Sequence, residues 1–523
     1  MRRMLLLLML AWGAGAVAQP RFEEVRRRNP WNDGTNAAGV RADSLSRSYA
    51  EAYFTKQNGG WIDHSGSDDS WNAGARTASI RHFERVSFFG GFSYDYFEGR
   101  NMCGSMLSRP GYYPVDILEF TPGRKVRETY AFTGGLAVRL HRRWTAGLRM
   151  DFEAQNYAKR RDLRHKNTML DFRVAPGILY EAGRLRAGAA YLFGKNSDRA
   201  EAEQIGLKGT SYYAFFDKGL YYGTQELWDG NNIHLKESGI DGFPLKELMH
   251  GVAAQLQYGA AYAEATYGRT HGDTGEKDLT WHEFEGERAA VRGVVTLPDG
   301  GRLHIVRAGF EWYRQDNREM LVGKENVDGV TTNRIYGSTP VFGRRGARAS
   351  GEYELSAGRA VLRAGGSYTQ IERRSTLRYP ETRGQELHFT ECFVRGRRSW
   401  GRFDLELGLD CRWGGSEEKS LRSMQLWGKW EPVYRPLGID GDLLFRSDDT
   451  TVAGDGYPQQ LTDYYERERE WLTATRMGVD AGVRCHIRRF YIDLSGRYER
   501  GFGVRCAPGA QRGTLTLGVG YDF

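Results

Sequence analysis

The last eleven residues of the chain, Gly513 to Phe523, read GTLTLGVGYDF and decide the fold. Leucine, valine and aromatic residues occupy every second position from Leu515 to Phe523, and threonine, glycine and aspartate occupy the positions between them. Because the side chains of a β-strand point alternately to its two faces, the pattern predicts one apolar and one polar face. A terminal aromatic residue suits a strand whose apolar face meets lipid; the alternative is the last strand of a soluble β-sandwich.

This stretch resembles the carboxyl-terminal assembly signal of outer-membrane barrels, whose alternating closing strand ends in phenylalanine. The resemblance implies that Tyr521 and Phe523 are read by the barrel assembly machinery. It also implies that the protein resides in the cell outer membrane, in contact with lipid and lipopolysaccharide.

The opposite end of the chain predicts export. Met1-Arg2-Arg3 precedes an apolar run from Met4 to Trp12, and Ala16-Val17-Ala18 follows. A basic start, a short apolar core and an A-x-A site are typical of a secretory signal peptide, so residues 1–18 are predicted to be removed. No later apolar run reaches the roughly 18 residues of a transmembrane helix. A membrane-spanning form of the chain would therefore be a closed barrel, which satisfies every backbone polar group in lipid.

Segments with period-two alternation recur along the chain and are joined by alternately short and long connections. An apolar face from Tyr130 to Leu140 is followed by a turn near Arg142 and by a second alternating segment that begins at Trp144. The opposite face of that second segment carries Arg149 and Asp151. Charges buried unpaired in a dry core would cost several kcal/mol each, so the pattern favours a polar lumen over a sandwich core.

The turn pattern predicts an all-β fold, a transmembrane antiparallel β-barrel of about 20 strands over residues 46–523 with long extracellular loops. Short turns are predicted at nine places, one of them at Pro436–Gly438, with a first strand near Arg47–Gln57. The alternative is a barrel of about 18 strands, in which the first strand pair belongs to a plug or a loop. The segments 98–127, 196–245 and 449–473 are predicted to be outward loops.

Residues 19–45 are predicted to form either a periplasmic tail or a small plug. The stretch from Asn36 to Val40, NAAGV, resembles the opening of fatty-acid-transporter-type barrels, and the resemblance implies an amino-terminal plug in the lumen. Together with Asn29-Pro30-Trp31 and the barrel pattern, it also resembles uncharacterised Bacteroidota-type outer-membrane barrels grouped as a domain of unknown function. That resemblance implies a Gram-negative outer-membrane location but no substrate. A TonB-dependent transporter is excluded because it needs a large folded plug domain before the barrel.

The cysteine spacing and the charge distribution further restrict the possible classes of protein and partner. The five cysteines show no C-x-x-C spacing, and Cys392 and Cys411 lie where one hairpin could bring them together, so their bonded state is left open. The formal net charge is +8, but acidic residues alternate with the basic ones. Since nucleic-acid binding needs a clustered basic face, no nucleic-acid partner is predicted.

No motif predicts a catalytic, cofactor or metal site. His282 and Glu283 are adjacent on an alternating segment, so their side chains point to opposite faces and do not share a metal ion. The chain has no Walker loop, no G-x-S-x-G and no G-x-G-x-x-G in a strand-to-helix setting. We therefore expect a protein that is not an enzyme and holds no cofactor.

Alternating charges predict a lumen lined by both signs in near balance. Cross-strand pairing of these charges would stiffen the wall and leave weak ion selectivity. The predicted lumen charges are Arg139, Arg149, Arg186, Arg412, Arg484, Asp404, Glu406 and Asp480.

The segment 196–245 concentrates aromatic residues too apolar to remain in water, so it is predicted to fold into or over the barrel mouth. Its predicted ligand-binding or constriction residues are Tyr212, Tyr213, Phe215, Phe216, Tyr221, Tyr222 and Trp228. The sequence thus predicts a porin-like channel or uptake barrel for small solutes, with its lumen restricted by this segment. The alternative is a non-transporting barrel that binds a surface ligand or a partner protein, such as a transporter or a surface lipoprotein.

Overall fold

The computed structural model describes residues 21–203, 212–221, 223–228, 243–276, 279–327, 330–376, 382–421, 425–426, 429–430 and 457–523. The predicted signal peptide, residues 1–18, lies outside these ranges. The helical elements are α1 (Phe22–Arg28), two 3-10 helices (Pro30–Asp33 and Ala37–Ala42) and α2 (Tyr457–Thr473). None of the described helices is long and apolar enough to cross a membrane.

The strands follow in chain order. They are β1 (Arg47–Asn58), β2 (Asp69–His82), β3 (Val86–Ser105), β4 (Asp116–His141), β5 (Trp144–Lys159), β6 (Arg164–Ala182), β7 (Leu185–Glu203), β8 (Tyr212–Asp217), β9 (Gly223–Trp228), β10 (Phe243–Tyr258), β11 (Ala261–Glu276), β12 (Leu279–Asp299), β13 (Arg302–Val327), β14 (Val330–Ala357), β15 (Ala360–Ser375), β16 (Thr382–Trp400), β17 (Phe403–Leu421), β18 (Gln425–Leu426), β19 (Lys429–Trp430), β20 (Arg476–Ile487), β21 (Phe490–Gly501) and β22 (Gln511–Asp522).

Within the described ranges, eighteen of these strands form one closed antiparallel barrel. The hairpin β8–β9 attaches to the start of β4, and β18–β19 form a separate pair. The first and last strands close the wall, from Tyr49 opposite Asp522 to Asn58 opposite Gly513. The Phe523 N–H donates to the Ser48 carbonyl oxygen at 2.8 Å and continues this ladder.

The described part of the chain contributes 18 wall strands, so the prediction of about 20 is not confirmed and the 18-strand alternative matches. The difference does not arise at the first strand pair, because β1 and β2 are both wall strands. It arises after β17, which pairs directly with β20 from Phe403 opposite Cys485 onward. The predicted turn at Pro436–Gly438 lies outside the described residues. A short turn motif between two alternating segments does not show whether those segments form hydrogen bonds with other strands of the wall.

The outer surface of the wall is apolar, as the alternation predicts. On β17, Leu405, Leu407 and Leu409 point outward and Leu407 is 67% exposed. Glu406 and Asp410, at the alternate positions, face inward and form ion pairs in the lumen. On the closing strand, Leu515, Leu517, Val519 and Phe523 are exposed.

Exposed aromatic residues, such as Trp144, Tyr258 and Trp400, lie around the end of the barrel that carries the short turns. Because a closed ladder leaves no free strand edge and its exterior is apolar, the fold is a membrane-spanning β-barrel.

The two predicted partner cysteines lie on the outer surface. Cys392 on β16 is directly opposite Cys411 on β17. Both thiols are free in the structure.

The lipid-facing belt yields a direct test. Replacing Leu407 by arginine puts a charge near the middle of the belt, and we expect it to lower the free energy of unfolding by about 2–4 kcal/mol. Arginine at Ile335, which is exposed on the part of β14 beyond the belt, is the matched control and is expected to change it little. Denaturant titration of each variant in lipid vesicles measures its free energy of unfolding. Equal losses at the two positions would contradict this placement of the belt.

Candidate functional site

The amino-terminal segment 21–45 lies inside the lumen near the short-turn end, and we refer to it as the plug segment. Two asparagines shape it. The Asn29 side chain accepts from the Trp31 N–H at 3.1 Å and begins the first 3-10 helix, and the Asn36 side chain accepts from the Ala38 N–H at 3.0 Å and begins the second. Arg41 donates to the carbonyl oxygens of Phe83 and Glu84 in the turn between β2 and β3.

Trp31 is the main apolar anchor of the plug segment. Its side chain is 1% exposed and packs with Ala38 against the wall residues Leu179 and Ile305. The indole N–H donates to Gln257 Oε1 at 2.6 Å, so the polar atom of the ring is also satisfied.

Polar wall residues hold the turn between the two 3-10 helices. The Asn36 amide donates to the carbonyl oxygens of Ile178 at 2.9 Å and Ala189 at 3.3 Å. Glu264 accepts from the hydroxyl of Thr35 at 2.6 Å and from the guanidinium of Arg292 at 2.5 Å. These contacts belong to β6, β7, β11 and β12, on one side of the barrel.

Ion pairs fix α1 to the other side of the wall. Arg27 pairs with Glu352 of β14 at 2.8 Å. Arg21 pairs with Glu406 of β17 at 2.7 Å, and Glu24 pairs with Arg397 of β16 at 2.5 Å. The plug segment therefore crosses the lumen and is bound on both sides of it.

Wall glycines let the plug segment approach closely. A Cβ atom added to Gly147 would lie 2.1 Å from the Ala38 nitrogen. One added to Gly188 would lie 2.9 Å from the Asn36 side-chain nitrogen and 3.2 Å from the Trp31 ring. Because real Cβ contacts are not this short, any larger residue at Gly147 has to displace the plug segment.

At the opposite end, the turn between β3 and β4 folds into the lumen. This inward loop comprises residues 106–115 and buries Met106, Leu107, Tyr113 and Val115. Its Arg109 pairs with Asp171 of β6 at 3.1 Å. The inward loop covers the mouth, although the sequence predicted an outward loop over 98–127.

Further contacts carry the inward loop across the mouth. The Tyr112 hydroxyl donates to Glu247 of β10 at 2.8 Å. The Arg344 guanidinium of β14 donates to the carbonyl oxygens of Gly111 and Tyr112. The loop therefore reaches wall strands well away from its own pair, β3 and β4.

The hairpin β8–β9 adds a second layer at the mouth. Phe215 and Phe216 are fully buried, and Tyr221 packs with Tyr465 of α2 at a centroid distance of 6.0 Å. Phe216 packs edge-on against Phe243 at 5.0 Å. Tyr222 and the side chains of Tyr212, Tyr213 and Trp228 lie outside the described part of the structure. A ligand-binding role for these seven residues stays a prediction.

The helix α2 is the third element over the mouth, and we refer to the inward loop, β8–β9 and α2 together as the mouth cover. This helix was not predicted from the sequence. Leu461, Tyr464 and Tyr465 are buried on one face, at the i, i+3, i+4 spacing of an amphipathic helix. The Tyr464 hydroxyl donates to the Glu119 carbonyl oxygen at 2.9 Å, and Glu468 pairs with Arg373 at 2.9 Å. This spacing could have predicted a helix over residues 457–473, where the sequence analysis predicted part of an outward loop.

Seven of the eight predicted lumen charges form ion pairs with other lumen residues. The pairs are Arg149 with Asp151, Arg186 with Glu181, Arg412 with Glu391, Arg484 with Asp493, Asp404 with Arg397, Glu406 with Arg21, and Asp480 with Arg497. Arg139 is exposed beside the short-turn end, where its backbone N–H donates to the Arg85 carbonyl oxygen. The weak ion selectivity expected from these charges stays a prediction.

The mouth cover contains a carboxyl group with a strongly shifted pKa. Burial raises the pKa of Asp217 to about 8, and the neighbouring carboxylates of Asp116 and Glu468 add to the rise. The Gly219 N–H donates to Asp217 Oδ1 at 2.9 Å and opposes the shift. At neutral pH the Asp217 carboxyl is therefore largely protonated.

This shift predicts that the mouth cover loosens as pH rises. Between the ordinary carboxyl pKa near 4 and the shifted value, the folded form keeps a proton that the unfolded form has lost, so stability falls with rising pH. We expect hydrogen exchange in 212–221, corrected for intrinsic rates, to be faster at about pH 9 than at about pH 5. Asp217→Asn should reduce this dependence, of which a part remains because burial also raises the pKa of the neighbouring Asp116 carboxyl. Asp463→Asn, at an exposed position of α2, should retain it in full. An unchanged pH dependence in Asp217→Asn would refute the assignment.

Several solved structures match the chain at low similarity. CdiB from Acinetobacter baumannii has 8% identity and a TM-score of 0.35, over 92% of this chain and 61% of CdiB. The outer membrane transporter YddB from Escherichia coli has 7% identity and a TM-score of 0.38, over 91% and 80%. OpdK from Pseudomonas aeruginosa, solved with vanillate, has 10% identity and a TM-score of 0.33, over 91% and 98%. Similarity at this level carries no argument about function.

Comparison of the sequence with protein families gives one assignment. No curated protein matches the chain. Residues 37–523, which include the second 3-10 helix of the plug segment and the whole wall, match a family of unknown function. The chain belongs to that family, DUF6850.

Proposed function

We propose that the protein is an outer-membrane channel or uptake barrel for small solutes, closed at rest by the plug segment below and the mouth cover above. One observation carries the proposal. Polar cavities remain between the two covers, among them one of about 560 Å³ beside Arg76 and Arg149 and one of about 420 Å³ beside Arg307 and Glu352. A wall of this width encloses an aqueous lumen unless something fills it, and here the filling is incomplete.

The contacts of the plug segment suit an element that moves. Apart from the Trp31 cluster and a second cluster, in which Phe22 and Val40 pack against Ile80 of the wall, they are hydrogen bonds and ion pairs, such as Arg27 with Glu352. Water replaces such partners when the segment leaves, so each contact has a net value of only about 0.5–1.5 kcal/mol. No catalytic chemistry is part of the proposal.

A second candidate function is a non-transporting barrel that holds a surface partner, such as a transporter or a lipoprotein. The observation that favours it is the long hairpin β13–β14, whose outer part exposes Leu321, Val322, Ile335 and Tyr336. Exposed apolar residues beyond a membrane belt are typical of an interaction surface. This candidate requires no solute path through the lumen.

Single-channel conductance of four refolded proteins separates the two functions. They are the wild type, Gly147→Ala, which displaces the plug segment, a variant with residues 107–114 replaced by a short Gly/Ser turn, and the combination. We expect low conductance in the wild type and the highest in the combination, because both covers must move to open a path. Gly482→Ala is the matched control, since its added Cβ would make only ordinary contacts, 3.4 Å from Ser495 Cβ.

The outcomes decide between the candidates. Conductance that rises only in the combined variant identifies two covers in series and supports the channel. A folded combined variant with no more conductance than Gly482→Ala excludes the channel and leaves the partner-binding barrel.

A further inference from the structure

A cavity of about 540 Å³ lies between the plug segment and the inward loop on the β6 to β14 side of the lumen, and we refer to it as the arginine chamber. Thr35 of the plug segment lines one end and Tyr112 of the inward loop the other. On the wall side, the cavity is lined by the side chains of Arg173, Met249, Arg288, Glu311, Tyr313 and Arg344. Its volume lies within the range usual for small-molecule sites.

The arginines of this chamber are less well paired than those elsewhere in the lumen. Lumen arginines such as Arg149, Arg292 and Arg307 each lie within 3.0 Å of a carboxylate oxygen. Arg288 is exposed into the chamber, and in the described part of the chain no carboxylate lies within ion-pair distance of it. Its guanidinium carbon lies over the face of Tyr112, 5.9 Å from the ring centroid.

Arg344 also lacks a carboxylate partner among the described residues. Its guanidinium donates to the carbonyl oxygens of Gly111 and Tyr112 instead. These neutral acceptors orient the guanidinium without cancelling its charge. The same bonds fix the inward loop, and therefore the Tyr112 ring, against the chamber.

Around the chamber the charges sum to one excess positive charge. Asp171 serves both Arg109 at 3.1 Å and Arg173 at 2.9 Å, so one carboxylate balances two guanidinium groups. Glu247 accepts from the Tyr112 hydroxyl, and Glu311 lines the cavity. With Arg288 and Arg344, four guanidinium groups therefore face three carboxylates, and the further lining residue Arg314 is balanced by its ion pair with Asp316 at 2.7 Å.

Apolar and aromatic surfaces stand beside these cations. Tyr112 is held by its hydroxyl and has Arg109 stacked 4.1 Å from its ring centroid. Tyr313 and Met249 line the same cavity. A pocket that combines aromatic side chains with a few convergent polar groups is the usual form of a site for an amphipathic small molecule.

We propose that the arginine chamber binds a small amphipathic monoanion, with its carboxylate on Arg288 and Arg344 and its apolar or aromatic part against Tyr112, Tyr313 and Met249. Guanidinium groups bind carboxylates through paired N–H donors, and a single negative charge neutralises the chamber. The inference rests on the proposed function, since it names the class of solute that the barrel takes up.

Equilibrium binding of labelled benzoate to the full-length protein in detergent tests the proposal, with benzamide as a neutral analogue of the same shape. Wild type and Gly147→Ala are both measured, so that a closed plug does not hide the site. We expect saturable benzoate binding, at least about tenfold weaker binding of benzamide, and an equal loss for benzoate in Arg288→Gln. Arg288→Lys should retain part of the affinity.

Arg127→Gln is the matched control, because Arg127 stacks on Phe97 in the lumen, 5.4 Å from its ring centroid, and does not line the chamber. Its benzoate affinity should equal that of the wild type. Equal benzoate binding by wild type and Arg288→Gln overturns the proposal, as does absence of saturable binding in both wild type and Gly147→Ala.

The channel function is judged separately. Benzoate binding by the wild type or Gly147→Ala, without conductance in the combined variant, supports the binding site and excludes the channel. Conductance in the combined variant, without benzoate binding by the wild type or Gly147→Ala, supports the channel and excludes the binding site.

Discussion

The hydrogen bonds between β1 and β22 are the contacts on which the rest of the structure depends. They join Tyr49 to Asp522 at one end and Asn58 to Gly513 at the other, and they turn an open sheet into a closed wall. Without this closure, two strand edges would expose unpaired backbone groups to lipid, which costs several kcal/mol for each group. Closure also divides every strand into an outer face for lipid and an inner face for the lumen.

A wall of this size leaves space inside, and the chain fills only its two ends. The plug segment is accommodated by glycines of β5, β6 and β7, of which Gly147 lies closest, and by polar partners on the opposite strands. The mouth is covered by three distant parts of the chain, the inward loop, β8–β9 and α2. The inward loop packs against β8 around Phe216, and β8–β9 pack against α2 around Phe215 and Tyr465. Most of the described lumen charges named above are paired, and Arg288 and Arg344 of the arginine chamber are exceptions.

Local patterns allow prediction of the barrel and of the faces of its strands, because alternation is a property of each strand alone. Leu407 outside and Glu406 inside follow from that period. The number of wall strands depends on which segments pair with each other, and a local pattern does not show this. The predicted turn at Pro436–Gly438 therefore added two strands to the predicted number. The inward course of residues 106–115 depends on Glu247 and Arg344, more than a hundred residues away in sequence. For the same reason, the sequence analysis did not single out Arg288, whose lack of a carboxylate partner among the described residues depends on distant strands.

The central claim is that the plug segment is packed inside the lumen of the closed barrel. Hydrogen exchange of the full-length protein in lipid vesicles tests it most directly, because the amides of Ala38 and Gly39 are bonded within a buried turn. The account predicts that both amides exchange as slowly as those of the wall strands, and that Gly147→Ala accelerates them while the wall stays protected. Exchange at the rate of a free peptide in the wild type, with a protected wall, would contradict the account.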